Sequence, residues 1–124
     1  MDVHKKEIGH LAEQMACDFL RKKGLKLLER NFNCRVGEID LIMQDGNEIV
    51  FVEVRSRSRN DFGSALESIT LPKRKRVAKT AAYFLQKKKW LGNVDYRFDI
   101  IGIDGDINKP SIEWVDNAFS LEVL

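Results

Sequence analysis

Two acidic residues, Asp40 and Glu53, are each flanked by apolar residues on both sides. Glu53 follows the apolar run at residues 49–52 and precedes Val54, a pattern typical of a central strand covered on both faces. A carboxylate in such a strand loses its hydration, which is costly unless a partner compensates it. Two carboxylates that converge there repel each other unless a proton or a metal ion intervenes. All-oxygen ligands with room for waters and phosphate oxygens suit Mg²⁺ or Mn²⁺ better than zinc.

A third charged residue, Arg55, lies two positions after Glu53 and therefore on the same face of the strand. Its guanidinium stays protonated, so it cannot act as a base, but it can pair with Glu53 or stabilise charge on a phosphate. Two acids and an arginine on one face would suit metal-assisted phosphodiester hydrolysis. Spacing alone favours equally a polar sheet face on which Glu53 and Arg55 merely form a salt bridge.

The two acids can act together only if a β-hairpin brings them to one face. An even turn centred on Asp45 and Gly46 places Asp40 opposite Phe51 and makes Glu53 its diagonal neighbour, roughly 7–8 Å away at the backbone. A loop one residue longer or shorter would put the carboxylates on opposite faces. The metal-site hypothesis therefore depends on the length of this turn.

Helices and strands are predicted on both sides of the hairpin. Apolar spacing predicts a helix before it, with Gly24 as a stop signal, and Thr70-Leu71-Pro72 opens a second helix after it. The expected elements are a helix at 5–23, strands at 25–32, 38–43 and 48–55 with a turn at 44–47, a polar loop at 56–68, the second helix, a strand at 96–103 ended by 104–106, and a short last strand at 112–115. The order α-β-β-β-α-β predicts an α/β fold with a mixed sheet flanked by helices.

Length and composition predict one globular domain spanning residues 1–124. The formal net charge of +2 is close to neutral and does not by itself identify a nucleic-acid binder. No run approaches the roughly 18 apolar residues that span a bilayer, so no membrane partner is expected. Cys17 and Cys34 lack metal-ligand or disulfide spacing, which favours a reduced, cytoplasmic protein.

Basic residues concentrate next to the two acids. Arg55, Arg57 and Arg59 lead out of the Glu53 strand, and a second group opens the following helix: Lys73, Arg74, Lys75, Arg76 and Lys79. A phosphate backbone would have to lie beside the metal site, and the helix N-terminus adds a favourable dipole. These residues are therefore candidate nucleic-acid contacts, with a merely solvated helix face as the alternative.

Several motifs together resemble the YraN family of small bacterial proteins. They are Gly9 with Glu13, Gly24, Arg30-Asn31, Gly37-Glu38-Ile39-Asp40-Leu41-Ile42, Phe51-Val52-Glu53-Val54-Arg55 followed by Arg57, Phe62-Gly63, Lys73, Ala81 and Arg97-Phe98-Asp99. That family belongs to the PD-(D/E)XK nuclease superfamily and is closest in kind to archaeal Holliday junction resolvases. The resemblance covers nearly the whole chain and implies a restriction-endonuclease-like core.

The resemblance also implies roles for individual residues. Asp40 and Glu53 match the metal-binding acids of the superfamily, and Glu13 is implied as a third carboxylate ligand of Mg²⁺ or Mn²⁺. Arg55 stands where the superfamily usually has lysine, which removes a lysine base there. Water would then be activated by the metal or by Glu53, or Lys73 could supply an ammonium from the second helix.

The function that this resemblance implies is a metal-dependent endonuclease acting on DNA, with branched or recombination-derived DNA as a candidate substrate and a homodimer as a candidate assembly. The alternative is a non-catalytic nucleic-acid-binding or adaptor module that retains the nuclease fold, which Arg55 at the usual lysine position would favour. A third and weaker alternative is a protein-interaction subunit whose carboxylates are structural.

Overall fold

Two helices and five strands make up the described part of the chain, which a computed structural model provides for residues 3–57, 65–105 and 108–120. The elements are α1 (Val3–Lys22), β1 (Lys26–Cys34), β2 (Gly37–Asp45), β3 (Glu48–Arg57), α2 (Leu71–Lys87), β4 (Asp95–Asp104) and β5 (Ser111–Phe119). The predicted order α-β-β-β-α-β is confirmed, with β5 as the additional strand. Neither described helix is long and apolar enough to cross a bilayer.

The five strands form one mixed sheet in the order β1-β2-β3-β4-β5. Neighbouring strands are antiparallel except β3 and β4, which are parallel. Parallel strands cannot be joined by a tight turn, and α2 lies in the crossover between them. The predicted mixed sheet flanked by helices is therefore confirmed.

Strand β3 lies in the middle of the sheet and is covered on both faces. Val50 and Val52 pack in the core cluster that includes α1, whereas Ile49 and Phe51 pack in the cluster that includes α2. This explains the near-continuous apolar run of β3, because each face of the strand is buried beneath a helix. Glu53 continues the alternation on the α2 face.

The hairpin turn between β2 and β3 differs from the prediction in position. Asp45 pairs with Glu48, so the two turn residues are Gly46 and Asn47 rather than Asp45 and Gly46. Gly46 has φ +61°, the left-handed conformation that glycine adopts without a Cβ penalty. The predicted pairing of Asp40 with Phe51 is wrong, since Phe51 pairs with Ile42. The turn is nevertheless even, so the predicted common face of the two acids is retained.

Other element bounds differ modestly from the predictions. Strand β1 continues to Cys34, and β3 continues to Arg57, so the expected loop begins later than residue 56. The rest of that loop up to residue 64, including Arg59 and Phe62-Gly63, lies outside the described residues, as does Asp106 of the expected turn. Strand β5 runs well beyond the predicted 112–115, because its register shifts against β4 and the N–H of Asn117 donates to the buried Asp99 carboxylate.

Candidate functional site

Asp40 and Glu53 face each other across β2 and β3. The regular pairing runs from Asp45 with Glu48 to Leu41 with Val52, and the next position on each strand is an acid. The Asp40 N–H donates to Glu53 Oε2 at 3.4 Å, and the Val54 N–H donates to Asp40 Oδ2 at 2.8 Å. Each carboxylate is thus held by the backbone of the opposite strand. The two acids are direct neighbours rather than the diagonal neighbours that were predicted.

Both carboxylates are harder to ionise than usual. Glu53 is only 3% exposed, and this burial raises its pKa to about 8, with the charge of Asp40 as a further cause and Lys73 opposing it. Burial likewise raises the pKa of Asp40 to about 6, although the Val54 N–H lowers it. The metal-free pair therefore retains a proton near neutral pH, as expected of two close carboxylates in a poorly hydrated place.

Among the described residues, Lys73 is the cation that forms a salt bridge with the pair. Its Nζ lies 3.6 Å from Glu53 Oε1, and its side chain is 38% exposed, so it connects the buried acid with solvent. Lys73 lies in the first turn of α2, where its N–H donates to the Thr70 hydroxyl that caps the helix. The predicted N-cap at Thr70 is thus confirmed, and it helps to fix the position of Lys73 in the first turn of α2.

Arg55 does not pair with Glu53, contrary to one sequence-based expectation. Its side chain is exposed, and its Nε donates to Ser68 Oγ at 3.2 Å. Ser68 in turn donates to the carbonyl of Ala65 at 2.6 Å. Arg55 therefore lies beyond the buried part of β3, and its side chain contacts the segment before α2. The Glu53 carboxylate pairs with Lys73 instead.

Glu13 approaches the pair from α1 but is engaged by another residue. Its Oε1 accepts a hydrogen bond from Asn31 Nδ2 at 3.1 Å, and its charge contributes to the raised pKa of Asp40. Among the described residues, no group of three or more His, Cys, Asp or Glu is arranged to hold a metal ion. The structure therefore places Glu13 near Asp40 without assembling the three-carboxylate ligand set that the resemblance implies.

Sequence reasoning assigned no role to Asn31, which contributes to this arrangement. It lies in β1 at the position opposite Asp40, between the pairs Arg30–Leu41 and Phe32–Ile39, and has φ +50°. Asparagine tolerates this left-handed conformation better than most residues. Its motif partner Arg30 donates to Gln14 Oε1 at 2.7 Å, so both residues dock β1 on α1. In the sequence, the Arg30-Asn31 motif was the feature that could have pointed to this role of Asn31.

The predicted nucleic-acid contacts separate into structural and exposed residues. Arg57, with a side chain 8% exposed, forms salt bridges with Asp104 at 2.7 Å and Glu113 at 3.4 Å. Arg74 donates to the carbonyls of residues 66 and 69. Arg57 therefore joins β3 to β4 and β5, and Arg74 holds the segment before α2, whereas Lys75 and Arg76 are exposed on that helix.

Asp99, which belongs to the Arg97-Phe98-Asp99 motif, forms a buried ion pair with Arg97. The carboxylate is fully buried and accepts hydrogen bonds from Arg97, from Trp114 Nε1 at 2.9 Å and from the Asn117 N–H at 2.9 Å. These bonds join β4 to β5. Among the described residues, no hydrogen bond or salt bridge joins Asp99 to Asp40 or Glu53.

Together, the fold and the site define a mixed α/β protein with a pair of carboxylates, Glu53 buried and Asp40 half-buried, faced by a lysine in the middle of its sheet. The chain belongs to the uncharacterised protein family UPF0102, whose model matches residues 12–103. This confirms the resemblance at the level of the family, and membership of the nuclease superfamily stays a prediction.

Similar proteins cover almost the full chain. A UPF0102 protein of Legionella pneumophila is 47% identical over 91% of this chain and 94% of its own. One of Nitrosococcus oceani is 44% identical over 92% of both chains, and one of Pseudomonas aeruginosa is 44% identical over 90% of both. Among solved structures, Pyrococcus furiosus SfsA in complex with Ca²⁺ matches with a TM-score of 0.34 and 12% identity, over 82% of this chain and 58% of that one. This structural likeness is too weak to indicate a shared function.

Proposed function

We propose that this protein is a divalent-metal-dependent endonuclease that hydrolyses DNA phosphodiester bonds, with Asp40 and Glu53 as the metal ligands. The observation that carries the proposal is the directly opposed carboxylate pair, with Glu53 buried, Asp40 half-buried and Lys73 beside them. Burying two like charges together is unfavourable, and a divalent cation between them would offset that cost. The PD-(D/E)XK resemblance of the two segments supports the same assignment.

The chemistry of the donors fits Mg²⁺ or Mn²⁺. Both ligands are carboxylate oxygens, and Mg²⁺ is commonly held by one or two carboxylates, with waters and substrate phosphates completing its coordination. Asp40 and Glu53 therefore suffice as protein ligands, and Glu13 is not needed to coordinate the cation. When bound, such a cation supplies Lewis acidity to the phosphate and lowers the pKa of water.

Lys73 replaces Arg55 as the cation at the centre of the site. Its ammonium is adjacent to Glu53 and partly open to solvent, so it can neutralise negative charge that develops on a phosphate. Arg55 is exposed at the end of the same strand, where it can contact a neighbouring phosphate. A lysine from α2 would thus perform the electrostatic role that the superfamily usually places on β3.

A cleavage assay tests this proposal. Purified protein with Mg²⁺ or Mn²⁺ is incubated with single-stranded, duplex, flap and four-way DNA, because the resemblance implies branched substrates. Asp40→Asn and Glu53→Gln should each abolish cleavage, whereas Glu7→Gln, which changes an exposed carboxylate on α1, should leave it intact. Cleavage that persists in both site variants would contradict the assignment.

The second candidate is a non-catalytic nucleic-acid-binding module. Arg55 at the usual lysine position favours it, as does the engagement of Glu13 by Asn31. This alternative predicts that the protein binds DNA with every metal but cuts none of the four substrates, and that Asp40→Asn leaves the affinity unchanged. Absence of any DNA binding would instead favour a protein-interaction subunit.

A further inference from the structure

Basic and aromatic side chains share the exposed face of α2. Arg76, Lys79 and Tyr83 follow each other at spacings of three and four residues and are all exposed. Residues at this spacing lie on one side of a helix. The opposite side is buried against the sheet through Val77, Ala78, Ala81, Ala82, Phe84 and Leu85. The exposed row therefore forms a surface of its own.

The turn between β1 and β2 adjoins this row and adds to it. Arg35 and Val36 are exposed there. Gly37 brings the turn close to α2, because a Cβ at Gly37 would lie 3.0 Å from Thr80 Oγ1 and 3.8 Å from Arg76 Cβ. A hollow of about 440 Å³ separates the turn from the helix and is lined by Cys34, Arg35, Val36 and Tyr83.

The Tyr83 ring is suited to stacking on a flat ligand. The residue is 46% exposed, and its ring centroid lies 6.2 Å from that of Phe32, which supports it from the protein side. Val36, 41% exposed, adds an apolar edge to the same hollow. An exposed aromatic ring beside an apolar side chain offers a platform for a nucleobase.

The cations around Tyr83 are available to a ligand. Among the described residues, Arg35, Arg76 and Lys79 form no salt bridge. The row is also continuous with the proposed active site, because Lys73 lies one helical turn before Arg76. Lys73 and Tyr83 are ten residues apart, which is about 15 Å along the helix axis.

We infer that this surface binds an unpaired DNA strand, with Tyr83 stacking on a base and Arg35, Arg76 and Lys79 contacting its phosphates. Cationic side chains that follow the backbone and an aromatic ring that stacks on a base are the usual elements of single-strand recognition. A paired base in a duplex would not offer its face to Tyr83. The inference rests on the proposed function and deepens it, since it selects substrates with a single-stranded region next to the cleaved bond.

The test measures binding without cleavage. Fluorescence anisotropy with a labelled thymidine 12-mer is carried out in EDTA, with an abasic 12-mer as a probe that keeps the phosphates and lacks the bases. Tyr83→Ala should weaken binding of the thymidine 12-mer by about 5- to 150-fold, and Tyr83→Phe should retain it. Wild type should bind the abasic probe more weakly, and Tyr83→Ala should not weaken that binding further.

Charge variants separate the phosphate contacts from general attraction. Arg76→Gln should weaken both probes and reduce the slope of log affinity against log salt by about 0.7, whereas Lys22→Gln at the end of α1 should do neither. Equal affinity of wild type for the two probes, or unchanged binding by Tyr83→Ala, would overturn the inference. No binding of the thymidine 12-mer would also overturn it and would point to a protein contact instead.

These outcomes are independent of the cleavage assay. Cleavage of branched DNA together with an unchanged affinity of Tyr83→Ala overturns the strand-binding surface and leaves the nuclease proposal in place. Stacking-dependent binding together with no cleavage in any metal supports the surface and overturns the nuclease proposal. Folding of each variant is verified by its thermal unfolding, and the comparison of the two probes on wild type needs no variant.

Discussion

Replacing Glu53 with glutamine should make the metal-free protein more stable at alkaline pH. Glutamine keeps an oxygen that can accept the Asp40 N–H but carries no charge. The main consequence is that the penalty for ionising a buried carboxylate beside Asp40 disappears. Lys73 loses its partner in this variant, but its exposed side chain can be hydrated instead.

The magnitude follows from the pKa of Glu53. It is raised in the folded protein from 4.5 to about 8, mainly by burial. Glu53 binds its proton more tightly in the folded protein than in the unfolded chain. The contribution of this proton to stability is therefore fully present below pH 4.5 and is lost as the pH rises toward 8. At about 1.36 kcal/mol for each pH unit, the wild type should lose roughly 4 kcal/mol relative to the variant over this window.

Urea unfolding in EDTA, followed by circular dichroism between pH 4 and pH 9, measures this difference. The free energies of unfolding of wild type and Glu53→Gln should agree near pH 4 and diverge progressively above it. Glu7→Gln is the matched control and should follow wild type throughout. Saturating Mg²⁺ should stabilise wild type and narrow the gap. Parallel profiles for wild type and Glu53→Gln across the whole range would refute the reasoning.

Three further predictions concern Lys73 in the site and two residues of strand β4, Gly102 and Asp99. Lys73→Met should slow cleavage by about 10²- to 10³-fold, measured in single-turnover assays, because charge on the phosphate is no longer neutralised. Lys22→Met, which removes a cation at the end of α1, should retain most activity. Gly102→Ala should reduce the free energy of unfolding by about 1–3 kcal/mol, because the added Cβ would lie 2.7 Å from the Cβ of Ala65. Adding Ala65→Gly should restore the stability, and a double variant as unstable as the single one would disprove this contact. Asp99→Asn should lower the free energy of unfolding, measured in urea, by about 3–5 kcal/mol and leave the Mn²⁺ affinity unchanged. A loss of Mn²⁺ affinity in the folded variant would instead connect Asp99 to the site.

The features of the fold that depend on local chemistry were predictable. Thr70 and Pro72 determine where α2 begins through the N-cap and the first turn, both of which are local. The turn of the hairpin was placed one residue too early because Asp45-Gly46 and Gly46-Asn47 are both acceptable two-residue turns. The pairing of Ile42 with Phe51 distinguishes them, and that contact is between strands.

Strand β5 shows why a purely local reading falls short. Asp116-Asn117 resembles a turn, and Asn117 does have a positive φ of +49°. The strand nevertheless continues to Phe119, because the Asp99 carboxylate accepts the Asn117 N–H and the Phe119 ring stacks on Phe98 at 4.8 Å. Both interactions come from β4, so the sequence of β5 alone does not reveal them.

The acids of the site were predictable, whereas the sequence offers two candidates for their cation, Arg55 and, as the alternative, Lys73. Asp40 and Glu53 are conspicuous because charged residues are rare in buried strands. Arg55 was the nearest cation in sequence, yet the ion pair of Glu53 is made by Lys73, twenty positions away. The cation that pairs with Glu53 is determined by how α2 packs on the sheet. This is a tertiary property, and the spacing of residues along β3 does not predict it.

The most direct test of the account is to locate a metal ion by anomalous diffraction from crystals of the protein soaked in Mn²⁺. If the two acids form a metal site, an anomalous peak should lie within about 2.5 Å of a carboxylate oxygen of both Asp40 and Glu53, and it should disappear in crystals of Asp40→Asn. Crystals in which the Mn²⁺ peak contacts neither carboxylate, or in which no peak appears at this pair, would contradict the central claim that the two acids form a metal site.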